Sequence, residues 1–131
     1  VATEQVAIER DGDVVTARQK GRALAAASGF STTEQTLIAL AISELARNIV
    51  SYARRGEVVM STLEGERPGI EVVARDQGPG IQNIELALRD GYSTSKSLGL
   101  GLPGTRRVMD EFNIESTPGL GTTVTIRKWL R

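Results

Sequence analysis

The chain has no cysteine and no histidine. The first absence excludes disulfide staples and thiol nucleophiles. The second removes imidazole as a general base, and together they remove most transition-metal sites. Aromatic residues are 4% of the sequence, too few for a base-stacking nucleic-acid surface. Net charge is missing as well. With 16 Lys and Arg against 16 Asp and Glu, the molecular field draws the chain toward neither nucleic acid nor an anionic membrane. No apolar run approaches membrane-spanning length, and no secretion signal is visible at the N-terminus. A soluble cytoplasmic protein, with no nucleic-acid or membrane partner, is the resulting expectation. At 131 residues, one domain over 1–131 with a single buried core is expected.

Glycine is plentiful, and in one place concentrated. Asp90 to Phe112 reads DGYSTSKSLGLGLPGTRRVMDEF, a polar Ser/Thr/Lys segment followed by Gly99, Gly101 and Gly104. Pro103 is expected to open a helix there, with Thr105, Val108, Met109 and Phe112 at helical spacing. A glycine-rich turn feeding a helix N-terminus brings free N–H groups and the helix dipole together, so the stretch reads as a phosphate-binding lid. Its G-x-G-x-x-G spacing is not a dinucleotide fingerprint. No strand precedes it, and the position about twenty residues on, where an acid should hold a ribose, is the apolar Val124. The Walker A pattern is also missing.

Elsewhere, Gln5 to Ile8 reads as a strand, with Asp11-Gly12 as a hairpin turn leading to Val14-Val15. Thr16 with Gln19, and Ser31 with Glu34, have the form of capping boxes. The first predicts a helix through Ala27 stopped by Gly29. The second predicts a long helix to about Arg55, with Ile38, Ile42, Leu45, Ile49 and Tyr52 as its apolar stripe. Strands are expected at 58–63, 70–75, 114–117 and 122–129, and a short helix at 81–89. The fold class that follows is α/β (α+β). It is a two-layer sandwich with a mixed, mainly antiparallel sheet and helices on one face.

Glu44 and Asn48 lie at i, i+4 and so project from one face of the long helix. A carboxylate beside a carboxamide suits Mg²⁺ and a nearby proton acceptor; an exposed polar pair has the same spacing. Asp76-Gln77-Gly78-Pro79-Gly80 places an acid at a strand end with two glycines behind it. That pattern suits either a flat ring hydrogen-bonded through its amino group or a plain tight turn. Gly121-Thr122 opens the last strand. Lys96 is a candidate phosphate contact. Arg106 and Arg107 are expected in the first turn of the lid helix, where cations oppose the dipole and a bound polyanion would relieve them.

Taken in order, the E-x-x-x-N helix, D-x-G-x-G-I, the Gly-rich lid and the G-T strand resemble the Bergerat ATP-binding fold of DNA gyrase and the histidine kinases. Within it, ISELARNIV, ARDQGPGI and GYSTSKSLGLGLPGTRRVMDEF resemble the RsbT-type serine/threonine kinases of bacterial stress signalling, relatives of the anti-sigma-factor kinases. The resemblance implies ATP and Mg²⁺ as cofactors, with Asn48 on the metal and Glu44 as base on the substrate hydroxyl. Asp76 would bind the adenine amino group, Gly80 would pack beside the ring, and Thr122 would support the same edge. Gly99, Gly101 and Gly104 would wrap the phosphates. Gly78 and Ile81 in the first motif, and Lys96, Leu100, Leu102 and Thr105 in the second, complete the implied nucleotide contacts. A histidine kinase needs a phosphoacceptor histidine, which this chain lacks. The implied partners are STAS-domain substrates and a PP2C-type phosphatase. An anti-sigma-factor kinase and a nucleotide-gated binding module without turnover are the alternatives.

Overall fold

Alternation of apolar side chains decides which way each strand faces. The computed structural model describes residues 2–80 and 101–131. In β1 (Thr3–Ile8) Val6 and Ile8 are buried, in β2 (Gly56–Leu63) Val58 and Met60, and in β3 (Gly69–Asp76) Ile70, Val72 and Ala74. β4 (Glu111–Thr117) half-buries Phe112 and Ile114, and β5 (Gly121–Trp129) buries Val124 and Ile126. Register puts these residues side by side: Val6 faces Val58, Met60 faces Val72, Val72 faces Ile126, and Ile114 faces Val124. One continuous apolar face results. The sheet has the order β1-β2-β3-β5-β4, and all its pairings are antiparallel.

Among the described residues, three helices form the second layer: α1 (Asp11–Ala27), α2 (Thr32–Asn48) and α3 (Gly101–Val108). Val14, Ala17, Leu24 and Ala25 of α1, and Ile38, Ile42 and Leu45 of α2, share one core with the inward strand residues. The expected two-layer α+β architecture is the one observed. The other face of the sheet pairs Val59 with Val73 but is otherwise largely polar, with charged side chains cross-linked over it. Arg127 Nε donates to Glu71 at 2.7 Å and its Nη1 to Glu111 at 3.0 Å. Those two bonds raise the guanidinium pKa above its ordinary value.

Four local expectations are corrected. Asp11-Gly12 is the first turn of α1 rather than a hairpin, because Asp13 Oδ2 accepts from the backbone N–H groups of Glu9 (2.9 Å) and Arg10 (3.2 Å). Asp11 and Asp13 also sit where the helix dipole favours acids. Thr16 therefore lies inside α1 and caps nothing; its hydroxyl donates back to the Gly12 carbonyl at 3.2 Å. The long helix keeps α geometry only to Asn48, then widens into a π-helical turn over Ile49–Ala53 and ends at Arg54 with φ of 73°. Finally, α3 starts at Gly101 and stops at Val108, so Phe112 is a strand residue. Tertiary contacts end that helix. Buried Lys128 donates to the Val108 carbonyl at 2.9 Å, and Asp110 Oδ2 accepts from Trp129 N at 2.8 Å.

The box at Ser31 is real. Its hydroxyl accepts from Glu34 N at 3.1 Å, while Glu34 Oε1 accepts from Ser31 N at 3.2 Å. The two boxes read from sequence thus make different predictions in urea. Ser31→Ala should lose about 1 kcal/mol of stability, whereas Thr16→Ala should stay within about 0.5 kcal/mol of the parent.

Candidate active site

Several of the described segments meet at the end of the sheet where β3 stops. β3 delivers Asp76, paired in register with Thr122 of β5. The carboxylate is shared between elements. Asp76 Oδ1 accepts from Gly78 N at 2.9 Å and from Thr122 N at 3.3 Å. Asp76 Oδ2 makes no hydrogen bond to a described residue. Thr122 is held in turn, its hydroxyl 2.8 Å from Ser116 Oγ on β4.

The turn after Asp76 is seated on its neighbours by glycine. A Cβ on Gly78 would come within 2.5 Å of Ala53 Cβ, in the π-helical turn. A Cβ on Gly80 would lie 2.5 Å from the Thr117 carbonyl oxygen, and Gly80 also has φ of +77°. The β4–β5 turn is fastened to the same strip, since Gly119 N donates to Pro79 O at 2.7 Å. A Cβ on Gly56, at the start of β2, would touch Asp76 Cβ and Ile49 Cγ2, each at 3.0 Å. Asp76 therefore stands beside the residue that follows Asn48.

Gly56 thus lies between Asp76 and the residue that follows α2. Glu44 is 3% exposed and Asn48 half-buried. At about 100° per residue, Asn48 projects roughly 40° to one side of Glu44, the side that continues into buried Ala41 and Ile49. Glu44 and Asn48 thus share a face near the C-terminal end of α2, which runs on into the π-helical turn that meets Gly78. A carboxylate and a carboxamide there supply hard oxygen donors, and Asp76 Oδ2 supplies an acceptor for an N–H donor.

α3 packs against α2. Gly101, with φ of 65°, begins it, Leu102 packs on the core, and Gly104 is half-buried. Thr105 is wholly buried, and its hydroxyl donates to the Gly101 carbonyl at 2.8 Å, inside the helix. Arg106 and Arg107 fall in the last turn, where cations favour the dipole, so the repulsion expected of them is absent. Ile81, Lys96, Gly99 and Leu100 lie outside the described residues. Two features of the site went unseen in the sequence reading. The π-helical turn that brings Ala53 to Gly78 carries no proline or glycine to mark it. Ser116, which holds Thr122, has no motif around it.

Comparison with known proteins gives concordant results. The family described as histidine kinase-like ATPase domain matches residues 9–128. The chain is 47% identical over 127 residues to the serine/threonine-protein kinase RsbT of Bacillus subtilis (strain 168), covering 96% of each. It is 32% identical over 100 residues to the anti-sigma F factor of Thermoanaerobacter sp. (strain X514), covering 71% of this chain and 68% of that protein. It is 33% identical over 104 residues to the anti-sigma F factor of Priestia megaterium, covering 74% and 71%.

Gly80 offers a direct check of the turn geometry. Gly80→Ala should lower stability by more than about 1 kcal/mol, from the left-handed backbone penalty and the clash with a fixed carbonyl. A urea titration reads this as a lower midpoint at unchanged m-value.

Proposed function

The chain belongs to the histidine kinase-like ATPase domain family, and from that membership we propose that it is an ATP-dependent serine/threonine protein kinase of the RsbT type. Its substrates in this reading are STAS-domain proteins of a bacterial stress-signalling complex. Once released from them by phosphorylation, it binds and activates a PP2C-type phosphatase. What supports the reading is buried Glu44 with half-buried Asn48 on one face of α2, together with Asp76, whose Oδ2 makes no hydrogen bond to a described residue. The similarity to RsbT over nearly the whole chain supports the same assignment.

In this mechanism Asp76 Oδ2 accepts a hydrogen bond from the adenine amino group, while Oδ1 stays tied to the Gly78 and Thr122 amides. Gly78 and Gly80 let the turn sit tight on Ala53 and Thr117, and the flat ring packs beside Gly80. Gly101 and Gly104 border the phosphates. Mg²⁺, when bound, supplies charge neutralisation on the phosphates, and Asn48 is the residue here whose carboxamide oxygen suits it. The incoming serine or threonine hydroxyl gives its proton to Glu44 as its oxygen bonds to the γ-phosphorus. The bond from that phosphorus to the bridging oxygen breaks, and ADP leaves with the electron pair. Positioning supplies most of the rate, because phosphoryl transfer asks little covalent chemistry of the protein.

A second reading, an anti-sigma-factor kinase that sequesters a sigma factor, draws on the anti-sigma F relatives. Their lower identity and coverage place it behind the first, and capture of a sigma factor by the purified chain would reverse that order.

Two substitutions separate the roles. Asp76→Asn should weaken ATP binding by tenfold or more, the loss of about 1.4 kcal/mol or above from a charge-assisted hydrogen bond. Glu44→Ala should still bind ATP yet lose at least about a hundredfold in transfer to a purified STAS-domain protein. Tight ATP binding by the parent with no transfer to any STAS protein would leave a nucleotide-gated binding module instead.

A further inference from the structure

Strand register sets three polar side chains in one row at the site end of the sheet. Thr122 of β5 pairs with Asp76 of β3 on one side and with Ser116 of β4 on the other. Each lies two residues from an apolar residue of its own strand, Ala74, Val124 or Ile114, that belongs to or packs on the core. All three therefore share the helix-facing side, as a half-buried polar row next to an apolar one. The proposed chemistry uses Asp76. Ser116, at the far end of the row, takes no part in it.

A hydroxyl group carries one hydrogen, so its partners fix which way each bond runs. Ser116 Oγ lies 3.2 Å from the Gly121 carbonyl oxygen, which can only accept. Its hydrogen goes there. The 2.8 Å bond between Ser116 Oγ and Thr122 Oγ1 then takes its hydrogen from Thr122. Thr122 Oγ1 makes no other hydrogen bond to a described residue. It is left with lone pairs, next in the row to a carboxylate whose Oδ2 also only accepts.

We propose that Ser116 is a positioning residue for base selection. It draws the Thr122 hydrogen away, so that the row offers acceptors alone to the 6-position of a purine. The inference rests on the nucleotide reading of the site, which sets the base at Asp76. A 6-amino group has two hydrogens, one for Asp76 Oδ2 and one for Thr122 Oγ1. A 6-oxo group has none, and its lone pairs face those acceptors unpaired. Selection thus falls on 6-aminopurine nucleotides over 6-oxopurine ones. Without the Ser116 hydroxyl, the Thr122 hydrogen is free to turn toward the base and serve an oxo oxygen.

The test is equilibrium binding of ATP and of inosine triphosphate, its 6-oxo counterpart. The proteins are the parent, Ser116→Ala, Thr122→Val and the double variant. The parent should bind ATP at least about a hundredfold more tightly than inosine triphosphate. Ser116→Ala should cut that preference about tenfold, with inosine triphosphate bound no more weakly than by the parent. In the Thr122→Val background the same change should leave the ratio unmoved, because no hydroxyl remains to turn. An unchanged ratio in Ser116→Ala, with both nucleotides weakened alike, overturns the proposal and leaves Ser116 as a tie on the β4–β5 turn. So does a parent that binds the two nucleotides equally, and so does a Ser116→Ala effect on the ratio that persists in Thr122→Val. Partial unfolding cannot mimic the expected result, since it lowers both apparent affinities by one factor. A parent that binds neither nucleotide defeats the nucleotide reading and the proposal together. The other failures leave ATP binding standing and defeat the role of Ser116 alone.

Discussion

A single carboxylate oxygen, Asp76 Oδ1, holds the site end of the sheet together. It accepts the Gly78 amide from the turn after β3 and the Thr122 amide from the start of β5. Charge-assisted bonds of this kind are stronger than neutral ones, and two of them fix the carboxyl plane. Fixing the plane aims Oδ2. The neighbouring close approaches follow from the same point: the turn lies tight enough on Ala53 and Thr117 that any Cβ at Gly78 or Gly80 would collide. Gln77 and Pro79, between them, are exposed and bear no such constraint.

How much of this could be read beforehand depends on how local the cause was. Ser31 with Glu34 caps α2 through atoms three residues apart, and Gly29 ends α1 through its own φ of +99°. Both were legible. The alternation of Val6 and Ile8, or of Ile70, Val72 and Ala74, was legible for the same reason. The misreadings involve competition from elsewhere. Asp11-Gly12 resembles a turn until Asp13 caps the two amides before it. The segment from Val108 to Phe112 has helical spacing, yet Lys128 and Asp110 tie its end to the last strand, some twenty residues on. At the site, the motif residues Glu44, Asn48, Asp76, Gly78, Gly80 and Thr122 were visible as candidates. Ser116 and Ala53 were not, since their roles exist only once β4 and the π-helical turn are in place.

The π-helical turn explains how a helix and a sheet end can meet at backbone distance. An α-helix running on to Arg55 would keep its regular phase; one wider turn changes it and sets Ala53 against Gly78. The chain then reverses through Arg54, a non-glycine residue at positive φ, and Gly56 enters β2 flush against Asp76. Ile49 is the pivot, since it closes the core on one side and touches the Gly56–Asp76 contact on the other.

Departures from ordinary folding preferences are not spread evenly over the described residues. Glu44 is a buried acid, Arg47 has a buried nitrogen without a partner, the helix changes pitch after Asn48, and Arg54 occupies a conformation that side chains disfavour. All four lie in one stretch of eleven residues, 44–54. Each is unfavourable taken alone, and stretches that break several local rules at once are typically functional rather than structural. The α1 helix, the capping box of α2 and the strand alternation meanwhile follow those rules closely. Stability is thus supplied by the core of the two layers, while these departures gather in the second half of α2 and its π-helical turn.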